Sequence, residues 1–317
     1  MDDALSRCKN HSETTLEQLR IVLKPIVPDD EIVLTCGSYA RREASAQSDI
    51  DFFVITRAGG GTALEEPGIA PTWMDDVRQV IQRIVSVEPS PGGAFAKVEN
   101  DRAMLANIGG DQDTNQKLTR RMLFLLEGEP LFNAQGLRRF RVEILERYIN
   151  DKITDHQLAL FLLNDIIRYY RTVATDYEFK TSEGSKPWGI RNIKLVFSRK
   201  LLYASGLFSV AATADRVRDR KVRFLADLFE IPVIDRMIDI CGKAQMNNVL
   251  KSYNYFLEQF ESNEVRAQLE QLKREDRSTD VVFRDLKNEG HHFTRELLKL
   301  FENTFDSTHP IRRAVIF

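Results

Sequence analysis

The sequence predicts a small α/β unit followed by an all-helical one. Short β-branched runs alternate with helical periodicities up to about residue 115. Beyond that point almost every segment repeats its apolar residues at helical intervals. A chain of 317 residues that is 43% hydrophobic is long enough for two domains, each with a core. No fixed-period repeat and no low-complexity tract competes with this division.

The elements follow in order. Thr14 and Glu17 have capping-box spacing, and Leu16, Leu19, Ile21, Val22 and Leu23 come after at roughly helical intervals, predicting a helix that ends near Pro25. Glu31 to Thr35 is a β-branched run stopped by Gly37, and Asp49 to Thr56 reads as a second strand. Gly59, Gly60 and Gly61 predict a loop. Trp73 to Val85 places Trp73, Val77, Val80, Ile81, Ile84 and Val85 on one helical face, and Glu88 to Gly93, with two prolines and two glycines, is expected to be irregular. In the second half the clearest helix is Asp155 to Tyr177, with Leu158, Phe161, Leu162, Ile166, Tyr170, Val173 and Tyr177 near one stripe. Further helices are expected over 116–127, 137–150, 189–205, 215–229, 233–261, 263–274 and 290–304.

Composition removes several functional classes. Forty-five basic against forty-seven acidic residues give a formal charge of −2, which argues against generic duplex DNA binding. Cys8, Cys36 and Cys241 are too few and too scattered for a disulfide framework or a zinc site, and they fit a reducing compartment. No apolar run approaches the roughly 18 residues of a membrane span. The start, Met1-Asp2-Asp3-Ala4, lacks a basic-then-apolar leader, so the expectation is a cytoplasmic chain without a membrane partner.

The chemistry concentrates between residues 34 and 52. A strand ends in Gly37-Ser38, ten residues intervene, and a second strand opens with Asp49-Ile50-Asp51. Side chains alternate along a strand, so Asp49 and Asp51 share one face and Ile50, Phe52 and Val54 take the other. Two neighbouring carboxylates repel each other, and divalent cations relieve that repulsion, which makes Asp49 and Asp51 candidate ligands for Mg²⁺ or Mn²⁺. Gly37 lets backbone approach a ligand closely. With the Ser38 hydroxyl and the start of a short helix over 39–44, it makes a candidate cradle for phosphate oxygens. Together these parts describe a two-metal nucleotidyl transfer from a nucleoside triphosphate.

This wording resembles the DNA polymerase β-like nucleotidyltransferase superfamily. Gly-Ser-Tyr-Ala-Arg-Arg-Glu-Ala-Ser-Ala-Gln-Ser-Asp-Ile-Asp, residues 37–51, is most similar to the branch of PII-protein uridylyltransferases and smaller bacterial relatives. Pro91 to Lys97 resembles a Pro-Gly-Gly segment of those relatives, and Thr119 to Phe132 resembles the helix and turn that close their transferase core. Full uridylyltransferases carry hydrolase-like and ligand-sensing domains for which this chain has no room. The resemblance implies a nucleotidyltransferase core with a mixed sheet over about 1–135, followed by a helical domain over about 136–317 that closes the cleft and recognises the acceptor. It implies transfer of a nucleoside monophosphate, with ATP as the first donor to consider, to a hydroxyl of a protein, RNA or small molecule.

The superfamily places a third carboxylate on a later strand. Glu99, Asp111 and Asp113 are the candidates, and Asp113 in Gly109-Gly-Asp-Gln-Asp has the most site-like context as a metal ligand. Arg41 and Arg42 are candidates for the triphosphate or for a solvated helix face, and Ser48 for the nucleotide or for the turn before Asp49. Residues 184–214 hold Lys186, Arg191, Lys194, Arg199 and Lys200 and no acid. Lys186, Arg191 and Lys194 are therefore further nucleotide-binding candidates, against the plainer reading of a helix facing water. Two rival functions remain: a non-catalytic nucleotide- or partner-binding regulatory module, antitoxin-like, on the same fold, and a synthase of a small nucleotide signal.

Overall fold

A computed structural model describes residues 3–56, 72–88, 98–155, 157–183 and 186–316. The glycine loop at 59–61, the Pro91 to Lys97 segment and all of the expected irregular stretch except Glu88 lie outside the described residues. The chain forms two compact units, Arg7–Arg147 and a second made of Met1–Ser6 with Tyr148–Phe317.

The first unit is built on a mixed four-stranded sheet in the order β3-β2-β1-β4, where β1 is Ile32–Cys36, β2 Asp51–Thr56, β3 Val98–Asn100 and β4 Glu129–Phe132. β1 pairs antiparallel with both β2 and β4, and β3 runs parallel to β2. The helices of this unit are α1 (Ala4–Leu23), α2 (Ser38–Arg41), α3 (Trp73–Ile84), α4 (Asp101–Ala106), α5 (Asn115–Leu126) and α6 (Ala134–Tyr148).

Alternation along the strands divides the sheet into two apolar faces. Val33, Phe52 and Val54 pack with Leu16, Leu19 and Leu23 of α1 and with Met74, Val77 and Ile81 of α3. On the other face Leu34 pairs with Phe53, whose ring meets Phe124 of α5 edge-on at 4.7 Å. Gly128 permits that approach, because a Cβ there would lie 2.6 Å from the Phe124 carbonyl and 2.9 Å from Leu34 Cδ1. Burial on both faces explains why β1 and β2 read as nearly continuous apolar runs.

Several boundaries differ from the sequence expectation. α1 begins at Ala4, ten residues before the capping-box pair, because Ala4, Cys8 and Ser12 extend the buried stripe that Leu16 and Leu19 continue. β3 has three residues and no alternation to read, and β4 contains Pro130, which a sheet tolerates because β4 is an edge strand.

The second unit is helical: α7 (Leu160–Ser182), α8 (Trp188–Lys194), a π-helical turn (Leu195–Arg199), α9 (Lys200–Ala211), α10 (Arg218–Leu228), α11 (Val233–Cys241), α12 (Lys243–Glu261), α13 (Asn263–Gln271), a 3₁₀ turn (Glu275–Ser278), α14 (Val281–Thr304) and α15 (Ile311–Ala314). The helix expected over 233–261 is two helices, broken at Gly242, whose φ of +87° suits glycine and ends α11. α14 starts at Val281, where the Asp280 side chain caps the Phe283 N–H at 2.7 Å, well before the expected residue 290. The aromatic core of this unit centres on Phe197, which stacks on Phe256 at 4.7 Å and touches Phe293 at 5.2 Å.

Candidate active site

β1 runs directly into the Gly-Ser turn. Gly37 has φ +88° and ψ −148°, a left-handed conformation that glycine adopts without strain, and it caps α2. Cys36, the residue before it, is the cross-strand partner of Asp51. The turn therefore sits at the end of the sheet where the Asp-x-Asp strand begins. Thr35 ties the two strands further, its hydroxyl donating to the Asp51 carbonyl at 2.6 Å.

Asp49 and Asp51 are both half-buried. Ser48 fixes the approach to them: its side-chain oxygen accepts the Ser45 N–H at 3.1 Å while its own N–H donates to the Ser45 carbonyl at 2.9 Å. Tyr39 records the local charge. Burial, and then the carboxylate of Asp49, push its phenol up to about 12. Asp51 opens β2 and Asp49, whose charge reaches the buried phenol, lies two residues before that strand rather than in it; carboxylate oxygens are the hard donors that suit a divalent magnesium-type ion. Among the described residues no group of three or more His, Cys, Asp or Glu is arranged to hold a metal ion.

The backbone N–H of Gly37 is already engaged, donating to Glu127 Oε1 at 3.1 Å. The Ser38 hydroxyl, in contrast, makes no hydrogen bond among the described residues. A phosphate oxygen at this turn would thus meet Ser38, while Gly37 supplies the shape of the bend.

Both neighbouring arginines bind groups of the protein itself. The Arg41 guanidinium is buried and reaches Glu43 at 2.8 Å and Glu127 at 2.5 Å. Arg42 adopts φ +63°, donates to the Ala40 carbonyl at 3.0 Å and pairs with Glu129 at 3.0 Å. Arg20 reaches the same Glu129 at 2.5 Å. The two carboxylates that flank Gly128 thereby anchor the turn from below, one through Arg41 and Gly37, the other through Arg42.

The three third-acid candidates are separated by the sheet register and by arginines. Glu99 pairs in β3 with Ile55, four residues past Asp51, or about 13 Å farther along the sheet at ordinary strand rise. Its carboxylate is held by Arg120 of α5. Asp113 is buried, and both its oxygens are engaged by Arg121, at 3.1 and 2.8 Å, while Gly109 N–H donates to one of them at 2.9 Å. That is the geometry of a structural ion pair closing the loop before α5, and it weighs against Asp113 as a metal ligand. Asp111 is exposed in the same loop.

Of the basic candidates in the helical unit, Lys186 and Arg191 are half-buried and Lys194 is exposed. Trp188, at the entrance of α8, packs on Phe283 with ring centroids 4.9 Å apart, so the aromatic there serves the core.

Glu127, Glu129 and Glu43 were not singled out from sequence. The available signal was Glu127-Gly-Glu129 directly after an apolar helix, where charge reads most simply as solvated.

Residues 16–91 match a family model described as a nucleotidyltransferase domain. No curated protein matches the chain. Taken with the mixed sheet and the Gly-Ser turn beside Asp-x-Asp, the match supports placing the N-terminal region in the polymerase β-like nucleotidyltransferase superfamily.

Proposed function

We propose that the chain is a metal-dependent nucleotidyltransferase that moves a nucleoside monophosphate from an NTP, ATP first among them, to a hydroxyl of a protein, RNA or small molecule and releases pyrophosphate. The carrying observation is the pairing of Cys36 with Asp51, which sets the Gly37-Ser38 turn against the carboxylate strand. Asp49 and Asp51 would hold magnesium or manganese, and Ser38 would receive a phosphate oxygen. The bound cations would supply Lewis-acid stabilisation of the charge that develops on the transferred phosphoryl group. The remaining work of the chain is positioning.

In this reading Arg41 and Arg42 are positioning residues, since their guanidinium groups lie on Glu43, Glu127 and Glu129. Ser48 orients the strand that carries the aspartates. The nearest branch is that of the PII-uridylyltransferase relatives, on the strength of residues 37–51. The helical region from 136 onward is the part of the chain left to recognise the acceptor, and a cytoplasmic setting suits such a substrate pair.

One observation favours the second reading, a non-catalytic nucleotide-binding regulatory module. Glu99 and Asp113 are both held by arginines, which leaves the aspartate pair without either of them as a third ligand. Incubation of the full chain with magnesium, each α-labelled NTP and cell extract separates the two. Label on an acceptor that is lost in Asp51→Asn, with folding unchanged by circular dichroism, supports transfer. Nucleotide binding without pyrophosphate release supports the module, and full activity of Asp51→Asn contradicts the mechanism.

A further inference from the structure

The helical unit contains a group of cations that is held in place by neutral partners. Lys287, Gly290 and Thr294 form one stripe of α14, at spacings that keep them on a single face. At Gly290 this stripe meets the π-helical turn so closely that a Cβ would lie 2.4 Å from Val196 Cγ1. Lys200, the first residue after the turn, donates to Thr294 Oγ1 at 2.7 Å. Lys287 donates to Asn192 Oδ1 at 3.0 Å, and Asn192 Nδ2 donates to the Tyr177 hydroxyl at 2.8 Å. Arg191 lies next to Asn192 in α8, near Arg199, Tyr177 and Asp176.

Among the described residues Arg191, Lys200 and Lys287 form no ion pair. Of the acids nearby, Asp176 pairs with Lys180 and also acts on Arg191, and Glu178 pairs with Arg274. Asp285 and Glu289 of α14 act on Tyr255. Burial, followed by the charge of Lys287, pulls the Lys200 ammonium down to about 8, and burial lowers Lys287 and Arg191 as well. Like charges brought together and partly desolvated raise the energy of the fold, and a bound anion removes that cost. Each ammonium has three donors and spends one on a neutral oxygen, so both are aimed and still able to donate. π-helical turns also occur often at binding sites.

We propose that Lys200 and Lys287 form a binding site, within the helical unit, for a doubly charged phosphate oxyanion, taken either as inorganic phosphate or as a phosphomonoester. The site stands on this unit alone and does not depend on the transferase reading. Asn192 and Thr294 hold the ammonium groups, and the positive charge is left for the ligand to neutralise.

The test is thermal denaturation and titration calorimetry of the full chain in magnesium-free buffer, with inorganic phosphate and with AMP, against sodium chloride of equal ionic strength. Phosphate is expected to raise Tm beyond the chloride control. Lys200→Gln and Lys287→Gln are each expected to weaken binding by about tenfold, the loss of a charge-assisted hydrogen bond. Both variants should melt higher than the wild type without ligand, since each removes a desolvated charge. Tighter binding of AMP assigns the site to a phosphomonoester, and equal binding assigns it to the free ion. No stabilisation beyond chloride, or equal stabilisation of both variants and the wild type, overturns the proposal.

Discussion

Two groups of cations, one in each unit, are held in opposite ways. In the first, arginines meet carboxylates: Arg41 with Glu43 and Glu127 and Arg42 with Glu129 beside the Gly-Ser turn, and Arg121 with Asp113 and Arg120 with Glu99 on α5. In the second, Lys200 and Lys287 are held by a hydroxyl and an amide, and neither they nor Arg191 form an ion pair among the described residues. The contrast separates two uses of a cation. Paired inside the protein, it fixes a loop; held by neutral groups, it keeps its field for something that binds. A count of basic residues near a motif does not distinguish them, and Arg41 and Lys200 look alike until their partners are known.

Breaking the paired network should have the largest effect. Glu127→Ala removes the acceptor of the Gly37 N–H and leaves the buried Arg41 guanidinium with Glu43 alone, so stability should fall by up to about 3–5 kcal/mol, the usual cost of breaking a buried pair. Glu127→Gln keeps an acceptor for Gly37 and should fall by less, while still lowering transfer because the turn is less firmly held. Urea denaturation of both variants checks the order. Equal stability of Glu127→Ala and the wild type would show that the turn does not rely on this carboxylate. By contrast, the lysine substitutions described above should raise stability, which is the reverse sign for the same kind of charge removal.

The smallest effect concerns a carboxylate that lacks such a partner. Burial, then Asp30 and Asp101, raise Glu31 to about 7, and its Oε2 is buried without a hydrogen bond. The folded chain binds this proton more tightly than the unfolded one. The group's contribution is therefore full below about pH 4.5 and is lost as pH rises through about 7. Glu31→Gln should melt slightly higher than the wild type at pH 8, with the difference shrinking by pH 5. A difference that grows toward low pH would mean Glu31 is paired rather than strained.

The Gly-Ser turn was legible because it rests on strong local rules. Gly37 occupies a backbone conformation that favours its type, and the Asp-x-Asp segment leads into β2, although the strand begins at Asp51 and not at the expected Asp49. The two-part character of the fold followed from the change of period near residue 115. What escaped depended on distant partners. Glu127 and Arg41 are 86 residues apart, so no local pattern announces their pair. β4 was hidden by Pro130, which only its edge position excuses. The Lys200 group draws on α8, α9 and α14, so the sequence showed its basic run but not Lys287 or the missing carboxylates.

The central claim is that Asp49 and Asp51 hold the divalent ions that serve transfer. Manganese binding, followed by electron paramagnetic resonance in the presence of a non-hydrolysable ATP analogue, tests it most directly. The account predicts bound manganese in the wild type and its loss, by an order of magnitude or more in affinity, in Asp49→Asn and Asp51→Asn. Undiminished manganese binding in both variants would contradict it.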